Sequence, residues 1–307
     1  MHHRYAVIDL GTNTFHLLIV ETNAAGIAKQ LYRERIFVKL AEDGITTIGA
    51  NAYQRGLDAL QHFQKIIVEK KVEKVKAFGT AALRTASNGA AFSQDAKEKA
   101  NISIQLISGK EEARLIHLGV LQAIELGEEK GLIMDIGGGS VEFIIADKHQ
   151  VFWAESFPLG VAVLHRTFHK NEPIAAAEIK TIETHLKTTL QPLFRALKTI
   201  KVPNLIGASG TFDVLENLLP HTTQTPFSAT IEVKNFPPLY EKIIKMNLEE
   251  RHAAEGIPSS RADMIVVAMV LIDFIIRKVA TEKIMVSAYA MKEGILWEMI
   301  NRRGDNF

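Results

Sequence analysis

The sequence predicts an α/β protein of two similar domains with mixed sheets, each domain opening on a strand, a tight glycine turn and a second strand. Three observations predict it. Runs rich in β-branched and bulky apolar residues alternate with runs of helical periodicity along the chain. The 307 residues suffice for about two domains. One pattern also occurs twice: VIDLGTNTFHLLIVE at 7–21 lies over IMDIGGGSVEFIIAD at 133–147. Asp9 meets Asp135, Gly11 meets Gly137, Thr14 meets Ser140 and Glu21 meets Asp147, and apolar positions match on both flanks. The offset of 126 residues is too long for a solenoid, so it marks a duplicated domain.

Taken in order, residues 7–21 give two strands around Gly11, Thr12, Asn13 and Thr14. A hairpin turn needing positive φ would be served by a single glycine. In the second copy Gly137, Gly138 and Gly139 stand together before Ser140, more than a hairpin needs. Backbone N–H groups without a Cβ in the way form an anion-binding nest, and Thr12, Thr14 and Ser140 add hydroxyl donors. The pattern G-x-x-x-x-G-K-[ST] is absent, and a strand rather than a helix follows each turn, which excludes a Walker loop and a dinucleotide fingerprint. Asp9 and Asp135 each sit at a strand's C-terminal end; a carboxylate beside bound phosphate suggests Mg²⁺.

The basic run at 65–76 mixes in glutamates at helical spacing and reads as a solvated helix face. Residues 72–88 read as a strand ending near Phe78, then Gly79-Thr80 and a helix start. Arg84 falls on the first or second turn of that helix, where the dipole disfavours a cation unless an anion binds there. At 104–127 a short strand precedes Ser108-Gly109-Lys110-Glu111, which fits a capping box. That gives Glu111 a structural role and leaves Glu112 without one. The polar stretch ELGEEKG at 125–131 reads as a hinge, dividing the chain into domains at 1–125 and 126–307. Residues 202–219 read as strand, Gly-rich turn, then helix. Ser209 or Thr211 caps the helix, and Gly207 and Gly210 permit close approach of an anion to its N-terminus. A strand ending near Ser287 and a helix at about 291–303, packing back on the first domain, close the chain.

Composition narrows the function. Cysteine is absent, excluding disulfides, thiolate metal sites and a cysteine nucleophile. Net charge is +1, which excludes a strong nucleic-acid footprint. The most apolar run, 264–276, is 13 residues long and contains Asp273. A membrane span needs about 20 apolar residues, so this run predicts a buried helix and the chain no membrane partner. The N-terminus carries no signal-peptide pattern, and the expected compartment is the cytoplasm.

The chain resembles the exopolyphosphatase / guanosine pentaphosphate phosphohydrolase family, in its short two-domain form. The residues that carry the resemblance are AVIDLGTNTFHLLI (6–19), GTAALRTASN (79–88), LISGKEEARLIHLGV (106–120), LIMDIGGGSVEFI (132–144), FPLGVAVL (157–164), IGASGT (206–211) and VSAYAMKEGIL (286–296). It implies two actin-like (ribonuclease H-like) domains with the active site in a cleft between them. It implies hydrolysis of a terminal phosphoanhydride bond with Mg²⁺ or another hard divalent cation. The catalytic glutamate falls on Glu112, the phosphate-contacting arginine on Arg84, the metal-associated carboxylates on Asp135 and Glu142, and backbone donors on Gly137 to Ser140 and around Ser209, Gly210 and Thr211. Dimers are implied by the likeness alone. Against the family pattern, Thr12 and Thr14 replace serines and Val141 replaces a threonine. Ala288 and Lys292 replace the usual aspartate and arginine of the closing motif.

The expected substrate is inorganic polyphosphate, with guanosine pentaphosphate as the alternative. A small-molecule kinase of the same fold would need ATP and an acceptor; an idle nucleotide sensor would have no use for Glu112 and Arg84.

Overall fold

The computed structural model describes residues 2–23 and 28–301. Its contacts gather into two units, one comprising the chain up to Gly119 and from Met291 onward, the other Val120–Ala290. The first unit thus ends within the helix before the stretch at 125–131, which is the loop into the next strand rather than the crossing point.

In the first unit β1 (His3–Leu10), β2 (Thr14–Thr22) and β3 (Ala28–Phe37) form an antiparallel meander. After α1 (Ala50–Glu69), β4 (Lys74–Gly79) joins parallel to β1. Past α2 (Ala81–Thr85) and α3 (Gly89–Ala100), β5 (Ile104–Leu106) joins parallel to β4, and α4 (Gly109–Val120) follows. The order is β3-β2-β1-β4-β5.

The second unit repeats this plan. A meander of β6 (Gly131–Ile136), β7 (Val141–Ala146) and β8 (Val151–Phe157) leads through α5 (Val161–Phe168), α6 (Ala176–Thr189) and α7 (Gln191–Thr199). β9 (Asn204–Ala208) then pairs parallel with β6. Next come α8 (Gly210–Leu218), the hairpin β10 (His221–Thr225) and β11 (Ser228–Glu232), and helices α9 (Phe236–Lys245), α10 (Leu248–Ala253) and α11 (Ile265–Val279). β12 (Lys283–Ser287) pairs parallel with β9. The order β8-β7-β6-β9-β12 matches that of the first sheet, with the β10–β11 hairpin added at the edge. The duplication read in two short stretches therefore extends to whole sheets.

Residues of β6 and β7 are all buried, as strands covered on both faces must be, which is why their sequences are near-continuous apolar runs. Each unit has its own core. Ile8, Phe15, Leu17, Phe63 and Phe92 anchor the first; Phe143, Phe212, Phe236 and the length of α11 anchor the second. The apolar run at 264–276 is a buried helix: eleven of the fifteen α11 residues are inaccessible, with Asp273 accepting from Arg277 Nε at 2.8 Å. No described helix is long and apolar enough to cross a membrane. The closing helix α12 (Met291–Asn301) belongs to the first unit and packs on β1; the last residues of the expected helix, 302–303, lie outside the described residues.

The second unit buries an ionic cluster that the sequence did not announce. Arg251 is wholly inaccessible. It clamps Glu172 with Nη1 at 2.8 Å and Nη2 at 2.6 Å, and donates to the carbonyls of Met246 and Ala262. His169 lies beside Glu172, 3.5 Å away, and edge-on to His165. Burial pushes both imidazoles below their usual 6.5, and each also feels Arg251. The unfolded chain therefore binds the extra protons. Stability is fully present above about pH 6.5 and is lost as pH falls below it. Thermal melts across pH 5–8 are expected to show this slope, and His169→Asn to reduce it. An unchanged slope in that variant would remove His169 as a source.

Candidate active site

Both glycine turns are built alike. Gly11 N–H donates to the Thr14 carbonyl at 3.1 Å, and Gly137 N–H to the Ser140 carbonyl at 3.0 Å. A Cβ on either glycine would come to 3.0 Å from that carbonyl. Close approach within the turn, rather than positive φ, is what these two positions require. The remaining carbonyls point into the protein. Those of Thr12 and Asn13 accept from Leu40, Val38 and Lys39. Those of Gly137, Gly138 and Gly139 accept from the start of α5, through Val161, Ala162 and Gly160. Among the described residues the N–H groups of Gly138 and Gly139 donate to no atom. A turn with its carbonyls occupied and its N–H groups unspent is suited to an anion.

Cross-strand pairing sets the carboxylates. Asp135 stands directly opposite Glu142, so both project from the same face of the sheet. They are 6% and 2% exposed. Two like charges in that position destabilise a sheet unless a cation lies between them or they share a proton. Each is also oriented: Ser156 Oγ donates to Glu142 Oε1 at 2.7 Å, and Ser209 Oγ donates to Asp135. In the first unit Asp9 stands opposite His16 instead. The duplication thus retains the acid of the first strand and exchanges the partner on the second. The acid pair of the second unit fits a hard divalent cation that takes most of its ligands from water and phosphate. Among the described residues no cluster of three or more ligating side chains forms an all-protein cage.

Ser209 does not cap α8 with its side chain. Its hydroxyl is spent on Asp135, and its backbone is at φ 71°, ψ 168°, a region nearly restricted to glycine and worth about 1–3 kcal/mol of strain. Ser209→Gly is expected to raise stability by about 1 kcal/mol while lowering activity about 10–100-fold, the usual effect of losing an orienting group behind a ligand. Ser209→Ala should keep the strain and lose the activity. Melting curves and phosphate release on both variants check this; equal stability of the two would refute the strain. Thr211, 2% exposed, lies in the first turn of α8 next to Gly210. A Cβ on Gly210 would strike the Arg261 guanidinium at 1.7 Å. Arg261, in the 3-10 turn Ser259–Arg261, thus lies against this helix start. The sequence reading missed it, because its only local signal is an arginine in an irregular segment.

In the first unit Arg84 Nη1 donates to the Ile107 carbonyl at 2.7 Å and to Glu112 Oε2 at 3.2 Å. Among the described residues its Nε and Nη2 donate to no atom. Helix α2 spans only Ala81–Thr85, which puts Arg84 in its last turn. There the dipole favours a cation, so Arg84 needs no bound anion to offset the dipole, contrary to the expectation from sequence; Glu112 is its partner. The capping residue Ser108 accepts from Glu111 N–H at 3.2 Å. The Glu111 carboxylate pairs in fork fashion with Arg114, which also reaches Glu298 on α12 at 2.7 Å. Those hydrogen bonds hold Arg114 charged, above its usual range. Gly294 marks a further close approach between these helices: a Cβ there would meet the Leu115 carbonyl at 1.9 Å. Helix α4 is thereby fixed along one side while the Glu112 side chain, 9% exposed, faces Arg84.

The closing motif has local roles. Ser287 Oγ donates to the Tyr289 carbonyl at 2.7 Å, and buried Lys292 pairs with Glu293 at 3.1 Å. Lys292 thus finds a carboxylate next to it in place of whatever an arginine would reach.

The profile of the Ppx/GppA phosphatase family matches residues 18–303. The chain belongs to this family. A crystal structure of an exopolyphosphatase from Cytophaga hutchinsonii is 37% identical with a TM-score of 0.92, over 98% of both chains. The Ppx/GppA protein of Aquifex aeolicus, 23% identical over 99% of this chain and 100% of that one, superposes with a TM-score of 0.80. A guanosine-5'-triphosphate,3'-diphosphate pyrophosphatase of Photobacterium profundum is 27% identical over 97% of this chain. The chain spans 59% of that relative's length. Both units accordingly have the actin-like fold of the Ppx/GppA enzymes. Family membership adds no new residue to the site.

Proposed function

We propose that this chain is an exopolyphosphatase, hydrolysing the terminal phosphoanhydride bond of inorganic polyphosphate with the help of Mg²⁺. The observation that carries the reading is the Gly137–Ser140 turn, with two unspent N–H donors beside the oriented pair Asp135 and Glu142. The exopolyphosphatase of Cytophaga hutchinsonii, similar along its full length, supports it.

Phosphoryl transfer demands positioning and neutralisation of charge on the equatorial oxygens. The turn's N–H groups are fixed before reaction by the carbonyl bonds to α5, so little reorganisation accompanies charge development. Asp135 and Glu142 would hold Mg²⁺, which supplies neutralisation of phosphate charge. Ser156 and Ser209 keep those carboxylates aimed. In the first unit Arg84 offers Nε and Nη2 to a phosphate in the planar geometry arginine provides. Glu112, held by Arg84 Nη1, orients the attacking water and takes its proton. Asp9, Gly11, Thr12, Asn13, Thr14, Gly210 and Thr211 supply further polar contacts in this reading. The lack of cysteine is in keeping with a cytoplasmic enzyme.

A second reading, hydrolysis of the 5′ phosphate of guanosine pentaphosphate, is favoured by the name of the Photobacterium relative. Phosphate release from each substrate, with Mg²⁺ and with chelator, tests both. Release from polyphosphate that chelator abolishes is the expected result; release from neither substrate would overturn the proposal.

A further inference from the structure

One row of residues runs straight across the second sheet. Ser228, Ser287, Ala208, Asp135, Glu142 and Ser156 are consecutive cross-strand partners on β11, β12, β9, β6, β7 and β8. Everything just beyond this row lies on one edge: the glycine turn after β6, Ser209 and Gly210 after β9, Tyr289 after β12, and Phe227 before β11.

Phe227 and Tyr289 stack face to face at that edge, with centroids 4.6 Å apart and planes inclined by 27°. Phe227 remains 42% exposed although Tyr289 covers one face of its ring. The backbone that carries the ring is held firmly. Thr225 Oγ1 accepts from Phe227 N–H at 3.0 Å, Ala288 N–H donates to the Phe227 carbonyl at 2.9 Å, and Thr225 Oγ1 lies 2.9 Å from Ser228 Oγ. An exposed aromatic on a fixed hairpin tip gains nothing for folding from its open face. Adjacent strands are about 4.8 Å apart; three spacings separate β6 from β11, or about 14 Å from the carboxylate strand to the aromatic pair. A phosphate chain and a ribose bridge a separation of that order.

We propose that Phe227, backed by Tyr289, is the stacking platform for the heterocyclic base of a nucleoside polyphosphate whose phosphates reach the Gly137–Ser140 turn. The proposal rests on the phosphatase reading above and deepens it by assigning the residues that tell a nucleotide from bare polyphosphate. Stacking tolerates any base because every base offers a π-face, so the platform supplies affinity for nucleotides as a class.

The test compares guanosine-5'-triphosphate,3'-diphosphate with inorganic polyphosphate on the parent protein, Phe227→Ala and Phe227→Tyr. Phe227→Ala is expected to raise KM for the guanosine substrate about tenfold, with the polyphosphate KM far less affected. Phe227→Tyr keeps a ring to stack on and is expected to recover most of that loss. An equal loss on both substrates, or no change on either, overturns the platform. Should the parent hydrolyse neither substrate, the phosphatase reading fails by itself. Calorimetry then decides the platform: guanosine nucleotide bound more tightly than tripolyphosphate, with the difference erased in Phe227→Ala, upholds it, and any other result sinks it.

Discussion

Glu112→Gln lowers turnover by about 10²–10⁴-fold, the range general-base help supplies, while the melting temperature and substrate affinity stay near those of the parent. The amide has the same shape and keeps an oxygen for Arg84 Nη1, so the 3.2 Å contact survives as a neutral hydrogen bond. What it loses is the capacity to accept a proton. Helix α4 is held by Arg114 to Glu298 and by the close approach at Gly294, neither of which involves Glu112. A fold defect is therefore not expected. Single-turnover phosphate release, with calorimetry on the same substrate, separates chemistry from binding. Turnover equal to that of the parent would take Glu112 out of the reaction.

Gly160→Ala is expected to lower activity about 100-fold, the scale on which a misplacement near 1 Å acts, and to destabilise the protein by about 1–3 kcal/mol. A Cβ at this position would come to 2.3 Å from the carbonyl carbon and oxygen of Gly138, and to 2.4 Å from that of Gly139. Those are backbone atoms and cannot rotate aside. Gly160 has φ −58°, a value any residue adopts, so the requirement is space alone. Either the α5 start or the glycine turn must move, and with it the unspent N–H groups. Chemical denaturation and steady-state assays measure both effects. An alanine variant with unaltered KM and kcat would show that the position of the turn does not matter to catalysis.

Much of the fold was legible because its signals are local. Alternating strand and helix patterns, the repeated hairpin and the capping serine at 108 each depend on neighbours within a few residues. The duplication extends further than the two short stretches in which it was legible, since the structure gives both sheets the same strand order. Arg84 shows where local reading fails. Helix α2 ends after five residues, and the partner that explains Arg84 comes from 28 positions later. Ser209 read as a cap and proved to be an orienting group for Asp135, 74 residues away. Arg251 gave no sign, because its carboxylate partner Glu172 stands 79 residues away, and Arg261 gave little, because the helix start it lies against comes from another segment.

The sequence by itself determined the fold class, the glycine turns and the set of acids worth considering, since backbone geometry and residue type decide these without reference to distant chain. Only the tertiary structure decided which acids form a pair. Asp9 and Asp135 are equivalent in the repeat, yet register sets His16 opposite one and Glu142 opposite the other. Two carboxylates brought together in a sheet interior favour a cation or a shared proton between them, whereas a carboxylate facing an imidazole does not. The repeat places His16 over Glu142, but only the strand register sets each directly across from its aspartate, because contact between side chains on neighbouring strands depends on pairing and not on chain order.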